Sequence, residues 1–445
     1  MSRAAAIIGL GFLVGGLVAA AGRASEYLPG PPGRVGGLYA VPADIYSAAG
    51  VAPAPAGDAA AADAVFSAAR AAVAAGAISD AFRLAVAALE IDPDHADARR
   101  LLGYQRIGEH WAGGYAQRML GSGHVWSAQY GWVKADHLPR YEQGERPSRG
   151  RWVSAEVDAR QHESIDRGWA VRTDHVLVIT NVDRAAGVEL AVRLESLYQI
   201  WRQLFGELAA TREELQARLD GKEAGEFVRK PFRVLYHRNR QEYNDALRRR
   251  QGQIEMTLGI YFDQQRESHF FAGDEQDPGT VAHEAVHQFF YESTPRAARR
   301  LAVTANAWAV EAAACYFESL ASVGPRVYAL GAADAGRLQA ARHRRVVDDF
   351  YVPLAELSAL GMTDLQQRSD LPRIYSQSAG LASFLIDGAD GRYRGAFREL
   401  LAAIYAGRDN QDTLAELTGR TYQELDREYL QYMQDLPAVA VLAEP

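Results

Sequence analysis

VAHEAVHQFF, residues 281–290, is the stretch on which the fold and chemistry of this chain turn. Two histidines four residues apart, His283 and His287, lie on one face of a helix, so their imidazoles can converge on one metal ion. Glu284, beside the first, can reach a water on that ion. This HExxH spacing on a helix is a compact sequence signature of a zinc hydrolase. Asp277 and Pro278 supply a helix start, and Val281, Ala282, Ala285, Val286, Phe289 and Phe290 supply the apolar positions that bury the helix through about Tyr291.

A catalytic zinc needs a third protein ligand and one position open to water. After the Arg-rich link 295–300, NAWAVEAAACYFESL at 306–320 reads as a second helix, with Asn306 as N-cap and Trp308, Cys315, Tyr316 and Leu320 among its large packing residues. Glu311 falls in its first turns between Val310 and three alanines. A buried carboxylate there is costly unless it is paired or metal-bound, and a zinc ion satisfies it.

With these residues in place the chain resembles the gluzincins, metallopeptidases in which HExxH is followed on a later helix by a ligand Glu, often within WxxEGxAxYxE. Here that run reads Trp308, Glu311, Ala312, Ala314, Tyr316 and Glu318. The resemblance implies one zinc ion held by His283, His287 and Glu311, with Glu284 as general base. Ala312 stands at the common Gly position. Cys315 stands where thermolysin-like members place an Asp that orients the first His, so His283 needs another partner. Glu318 is a candidate, and a solvated surface charge is the competing reading. The order of the flanking segments is similar too. PFRVLYH at 231–237 alternates as a strand, RQEYNDALRRR at 240–250 reads as a helix, and LGIYFDQQRESHFF at 258–271 as extended segments joined by a polar turn. In the family an edge strand at this place can hold an extended peptide by strand addition. RIYSQSAGLASFLID at 373–387 looks like the Y-x-x-S helix of secreted bacterial members, including a family of gluzincin-like proteins of unknown function. On this resemblance Tyr375 is the candidate that hydrogen-bonds the oxyanion. Arg373, His343 and His269 are the alternatives.

The rest of the chain fixes the setting. Residues 1–24 have the basic start, apolar run and small-residue end of a secretory signal peptide, with cleavage expected after Ala24 and an uncleaved membrane anchor as the alternative. The expected location is extracytoplasmic, periplasmic or secreted. Cys315 is the single cysteine, which excludes a disulfide framework within the monomer. The formal charge of −8 becomes about −10 once Arg3 and Arg23 leave with the signal, and gives no basis for nucleic-acid binding. Residues 25–57, rich in Pro, Ala and Gly, read as a linker. Three helical stretches at 60–75, 79–89 and 95–104 resemble a tetratricopeptide repeat, whose exposed face needs a neighbour. Residues 106–171 connect, and their aromatics, Trp111, Tyr115, Trp126, Tyr130, Trp132, Tyr141, Trp152 and Trp169, read as the filling of a small collar, with a polymer- or peptide-binding surface as the alternative.

The expected architecture is therefore α+β and predominantly helical. Tetratricopeptide-like helices at 58–105 precede a gluzincin (thermolysin-like) domain at 172–436, with a small mixed sheet, a helical C-terminal half and a tail at 437–445. Expected partners are a peptide or protein substrate, bound along an edge strand within 258–271, and a protein partner for 58–170. Two functions stand: a secreted zinc peptidase, or a non-catalytic extracytoplasmic binding or assembly protein on a gluzincin-like scaffold.

Overall fold

The computed structural model describes residues 36–47, 58–222, 226–228, 230–294, 297–298 and 300–438. The signal peptide and most of the linker read at 25–57 lie outside these residues. The described protein is α+β, with about 54% helix, so helices dominate and the sheets are small. By contacts the chain divides into two compact units, Val41–Phe289 and Phe290–Pro445, the latter joined by N-terminal residues through Ala40.

Part of the linker is built into the structure. Gly37–Ala40 forms strand β1, and Tyr39, Ala40, Val41 and Tyr46 are buried. The Pro/Ala/Gly composition pointed to an extended tether, but apolar residues spaced through 39–46 give this piece something to bury.

In the first unit, helices α1 (Ala59–Ala75) and α2 (Ile78–Ile91) pack as a hairpin in which alanine is the commonest buried residue. Gly76 makes the turn at φ 76°, a left-handed conformation that favours glycine. α3 (Ala96–Leu102) follows. Next come three modules of hairpin and helix: β2 (Gln105–Ile107) and β3 (His110–Ala112) with α4 (Gly114–Gly121), β4 (His124–Ser127) and β5 (Gly131–Lys134) with α5 (Leu138–Glu142), and β6 (Glu145–Ser148) and β7 (Arg151–Ser154) with α6 (Ala155–Gln161). Trp111, Trp132 and Trp152 occupy the second residue of the second strand in each. Trp126 and Trp132 pack around Tyr46, Ala112 and Ala116, and Trp152 against Tyr130, Val133 and Tyr141.

A five-stranded mixed sheet completes this unit, in the order β11-β12-β10-β9-β8: β8 (Trp169–Arg172), β9 (Val176–Thr180), β10 (Phe232–His237), β11 (Ile260–Phe262) and β12 (Glu267–Phe271). β9, β10 and β12 run parallel, while β8 and β11 are antiparallel edges. Helix α7 (Arg184–Ala209) crosses over from β9, with α8 (Arg212–Leu219) after it, and α9 (Arg240–Leu247) links β10 to β11 and β12. α7 also covers the helical hairpin. Ser79 Oγ accepts a 2.7 Å bond from the Gly206 amide, and a Cβ at Gly206 would meet the Phe82 ring at 2.8 Å. Helix α10 (Pro278–Ser293) is held on the sheet by Phe289, whose ring lies 4.7 Å from that of Phe232, and by Gln288, which accepts a 2.8 Å bond from Ser268.

In the second unit α11 (Ala307–Phe317) is buried along its whole length. The hairpin β13 (Ala321–Gly324) and β14 (Val327–Leu330) follows, and β1 pairs antiparallel with β14 to make three strands. Helices α12 (Gly336–Val346), α13 (Leu354–Ser358), α14 (Met362–Gln366), α15 (Leu371–Gly391), α16 (Arg394–Tyr405), α17 (Thr413–Thr418) and α18 (Tyr422–Asp435) form the rest, with α15 packed against both α11 and α12.

Candidate metal centre

Helix α10 begins as the sequence suggests: Asp277 Oδ2 accepts a 2.8 Å bond from the Thr280 amide, and Pro278 occupies the first turn. Val281, Ala282, Ala285, Val286 and Phe289 are buried, which leaves His283, Glu284 and His287 together on the half-buried face. Their Nε2 atoms, His283 to His287, stand 3.0 Å apart. Two nitrogens on one tetrahedral zinc with bonds of ~2.0–2.1 Å lie about 3.3 Å apart, so the pair already converges as ligands do.

Glu311 sits in α11 among Ala312, Ala313 and Ala314, all fully buried, and is itself 7% exposed. One ligand atom from each of His283, His287 and Glu311 lies within 4.8 Å of the others, close enough to hold one metal ion. Two imidazoles and a carboxylate are a donor set that suits zinc. Burial, and then the charge of Glu311, push the Tyr405 hydroxyl far above its ordinary range.

The start of α11 differs in detail from its sequence reading. Asn306 holds the N-cap position, but at φ 55°, and its side chain caps nothing. Its Nδ2 instead donates to Asp409 Oδ2 at 3.0 Å and to the Asn410 carbonyl at 2.7 Å. Asn tolerates the left-handed region, so the residue turns the chain into the helix while tying down a distant loop.

His283, Cys315 and Glu318 form a second group within 4.8 Å, sharing the first histidine. Glu318 is ion-paired with Arg337 and largely buried, which removes the reading of a solvated surface charge. Tyr375 lies half-buried in the second turn of α15. Of its alternatives, Arg373 stacks over Phe350 at 5.1 Å, His343 is exposed beside Asp348, and His269 is buried in the sheet at 3.1 Å from His237.

Sequence reasoning gave no warning of the partner of Glu284. Its Oε2 accepts a 2.9 Å hydrogen bond from the backbone N–H of Tyr261 on the edge strand β11. A backbone donor has no residue signature. Only the edge position of 258–271 hinted that main-chain groups would matter there.

No protein-family model matches the chain, and no curated protein does. Among the described residues no helix is long and apolar enough to cross a membrane.

Proposed function

We propose that this protein is an extracytoplasmic zinc peptidase of gluzincin type. The observation that carries the reading is the grouping of His283, His287 and Glu311 with Glu284 on the same turn of α10. Bound zinc would supply a water whose pKa falls toward about 7 and a Lewis acid for the scissile carbonyl. His283 and His287 would ligate through Nε2 and Glu311 through a carboxylate oxygen. Glu284 would take the proton from the attacking water and deliver it to the leaving amine. Tyr375 is assigned to the oxyanion and Glu318 to the orientation of His283. An extended substrate would lie along β11, where a sheet edge offers main-chain donors and acceptors. The secretory pattern of residues 1–24 supports an extracytoplasmic location.

The test is elemental analysis of the purified protein beside His287→Ala and Glu284→Gln, with hydrolysis of unfolded protein measured in parallel. We expect about one zinc in wild type and in Glu284→Gln, none in His287→Ala, and turnover in wild type alone. Wild-type rates from Glu284→Gln would remove Glu284 from the mechanism, and a wild type that stays metal-free when zinc is supplied would remove the reading as a whole.

A further inference from the structure

Tyr261 is the middle residue of β11. It stands opposite Ser268, flanked by the pairs Ile260 with His269 and Phe262 with Glu267. Successive residues of an antiparallel edge strand turn their N–H and C=O alternately toward the neighbour and away from it. The Tyr261 N–H goes to Glu284, so Tyr261 is the residue of β11 whose backbone groups face out of the sheet. Of this three-residue strand it is therefore the position at which an added strand would find a donor. That donor is held by the carboxylate assigned as general base.

Resting on that assignment, we propose that the Tyr261 N–H is a shared donor exchanged between Glu284 and the substrate backbone. In the free protein it holds Glu284 against the edge strand. When an extended peptide joins β11, a peptide carbonyl oxygen takes the N–H, and the released carboxylate turns toward the His283–His287 side of the helix to act as base. No bond other than hydrogen bonds changes in this step. The exchange ties the base to occupancy of the strand edge, so a segment that offers an extended main chain arms the site. A folded surface or a small ester that cannot pair with β11 leaves Glu284 where it is. The substrate class is accordingly unfolded polypeptide recognised by its backbone, with no requirement for a free terminus.

Competition has a signature that a fixed structural bond lacks: removing the competitor tightens binding. Variants of the full chain that cannot turn over allow affinity to be read without cleavage. Glu284→Gln keeps an acceptor for the Tyr261 N–H, whereas Glu284→Ala frees it. Tyr261→Pro deletes the N–H at an outward-facing edge position, where proline leaves the ladder to β12 intact. Tyr261→Ala removes the ring and keeps the N–H. The probe is fluorescein-labelled casein, a chain without fixed structure, followed by anisotropy, with hydrogen exchange at the Tyr261 amide as a second readout. We expect Glu284→Ala to bind about fivefold tighter than Glu284→Gln, with faster exchange at Tyr261 in the unbound protein and renewed protection once casein is bound. Adding Tyr261→Pro to Glu284→Ala should abolish binding, and adding Tyr261→Ala should not.

Equal affinities for Glu284→Ala and Glu284→Gln, indifference to Tyr261→Pro, or no binding by any variant would overturn the exchange. If those results came with zinc-dependent cleavage of casein by wild type, the peptidase reading would survive alone. The expected affinities together with an inert wild type would leave the exchange standing and discard the peptidase.

Discussion

Asp44 shows what a single side chain in a neglected segment can do. Its Oδ1 accepts bonds from the Tyr46 and Ser47 amides at 2.9 and 3.2 Å, closing a tight turn. Burial, followed by the charges of Glu195 and Asp174, pushes its carboxyl up to about 7 from 3.8. An acid whose pKa is higher folded than unfolded adds stability that is fully present below pH 3.8 and is lost as pH rises through about 7. Asn at this position keeps an acceptor for the two amides without the charge. We expect Asp44→Asn to unfold at a higher temperature than wild type at about pH 8 and at a similar one at about pH 4, as read by calorimetry. His237 works in the opposite direction. Burial, then neighbouring His269, pulls it down to about 3 from 6.5, so its contribution is complete above pH 6.5 and is lost as pH falls below that. His269 is lowered as well, first by burial. Each proton taken up on unfolding steepens the acid limb by about 1.4 kcal/mol per pH unit, and His237→Asn should reduce the measured slope by one such step. Neither residue was readable from sequence as titrating out of range, because the cause is the surrounding fold and not the residue type.

At the scale of elements, legibility followed periodicity. α10 repeats its apolar residues at helical spacing, and β9 buries alternate positions of VLVIT, so both element types could be read directly. Glu311 was legible for a chemical reason, an acid set among alanines. The three hairpin modules between 105 and 161 were not recognised as a repeat. Trp111, Trp132 and Trp152 recur at nearly constant spacing, but the first strands, QRI, HVWS and ERPS, have little in common, and the hairpins are too short for alternation to register. Once folded, Trp126, Trp132 and Trp152 pack into two small cores. Trp132 meets Trp126 at 5.5 Å and Tyr46 at 6.1 Å between ring centres, both edge-on. Trp132→Ala should therefore cost about 2–4 kcal/mol of unfolding free energy in denaturant titrations. A surface built for binding would give the reverse result, near-neutral stability with loss of a ligand.

For the whole molecule, the metal reading has a consequence that needs no substrate. His283, His287 and Glu311 come from two helices separated in the chain by the link 294–306, and the unfolded chain cannot hold them together. An ion that binds the folded set alone stabilises it by mass action, about 4 kcal/mol at a thousandfold excess over its dissociation constant. Addition of a chelator should lower the calorimetric midpoint of the wild type by several degrees, and restored zinc should return it. His287→Ala should already unfold at the lowered midpoint and respond to neither. A wild-type midpoint indifferent to chelator and zinc, at the same value as His287→Ala, would mean that the three side chains meet without an ion, and the catalytic reading built on them would fall with it.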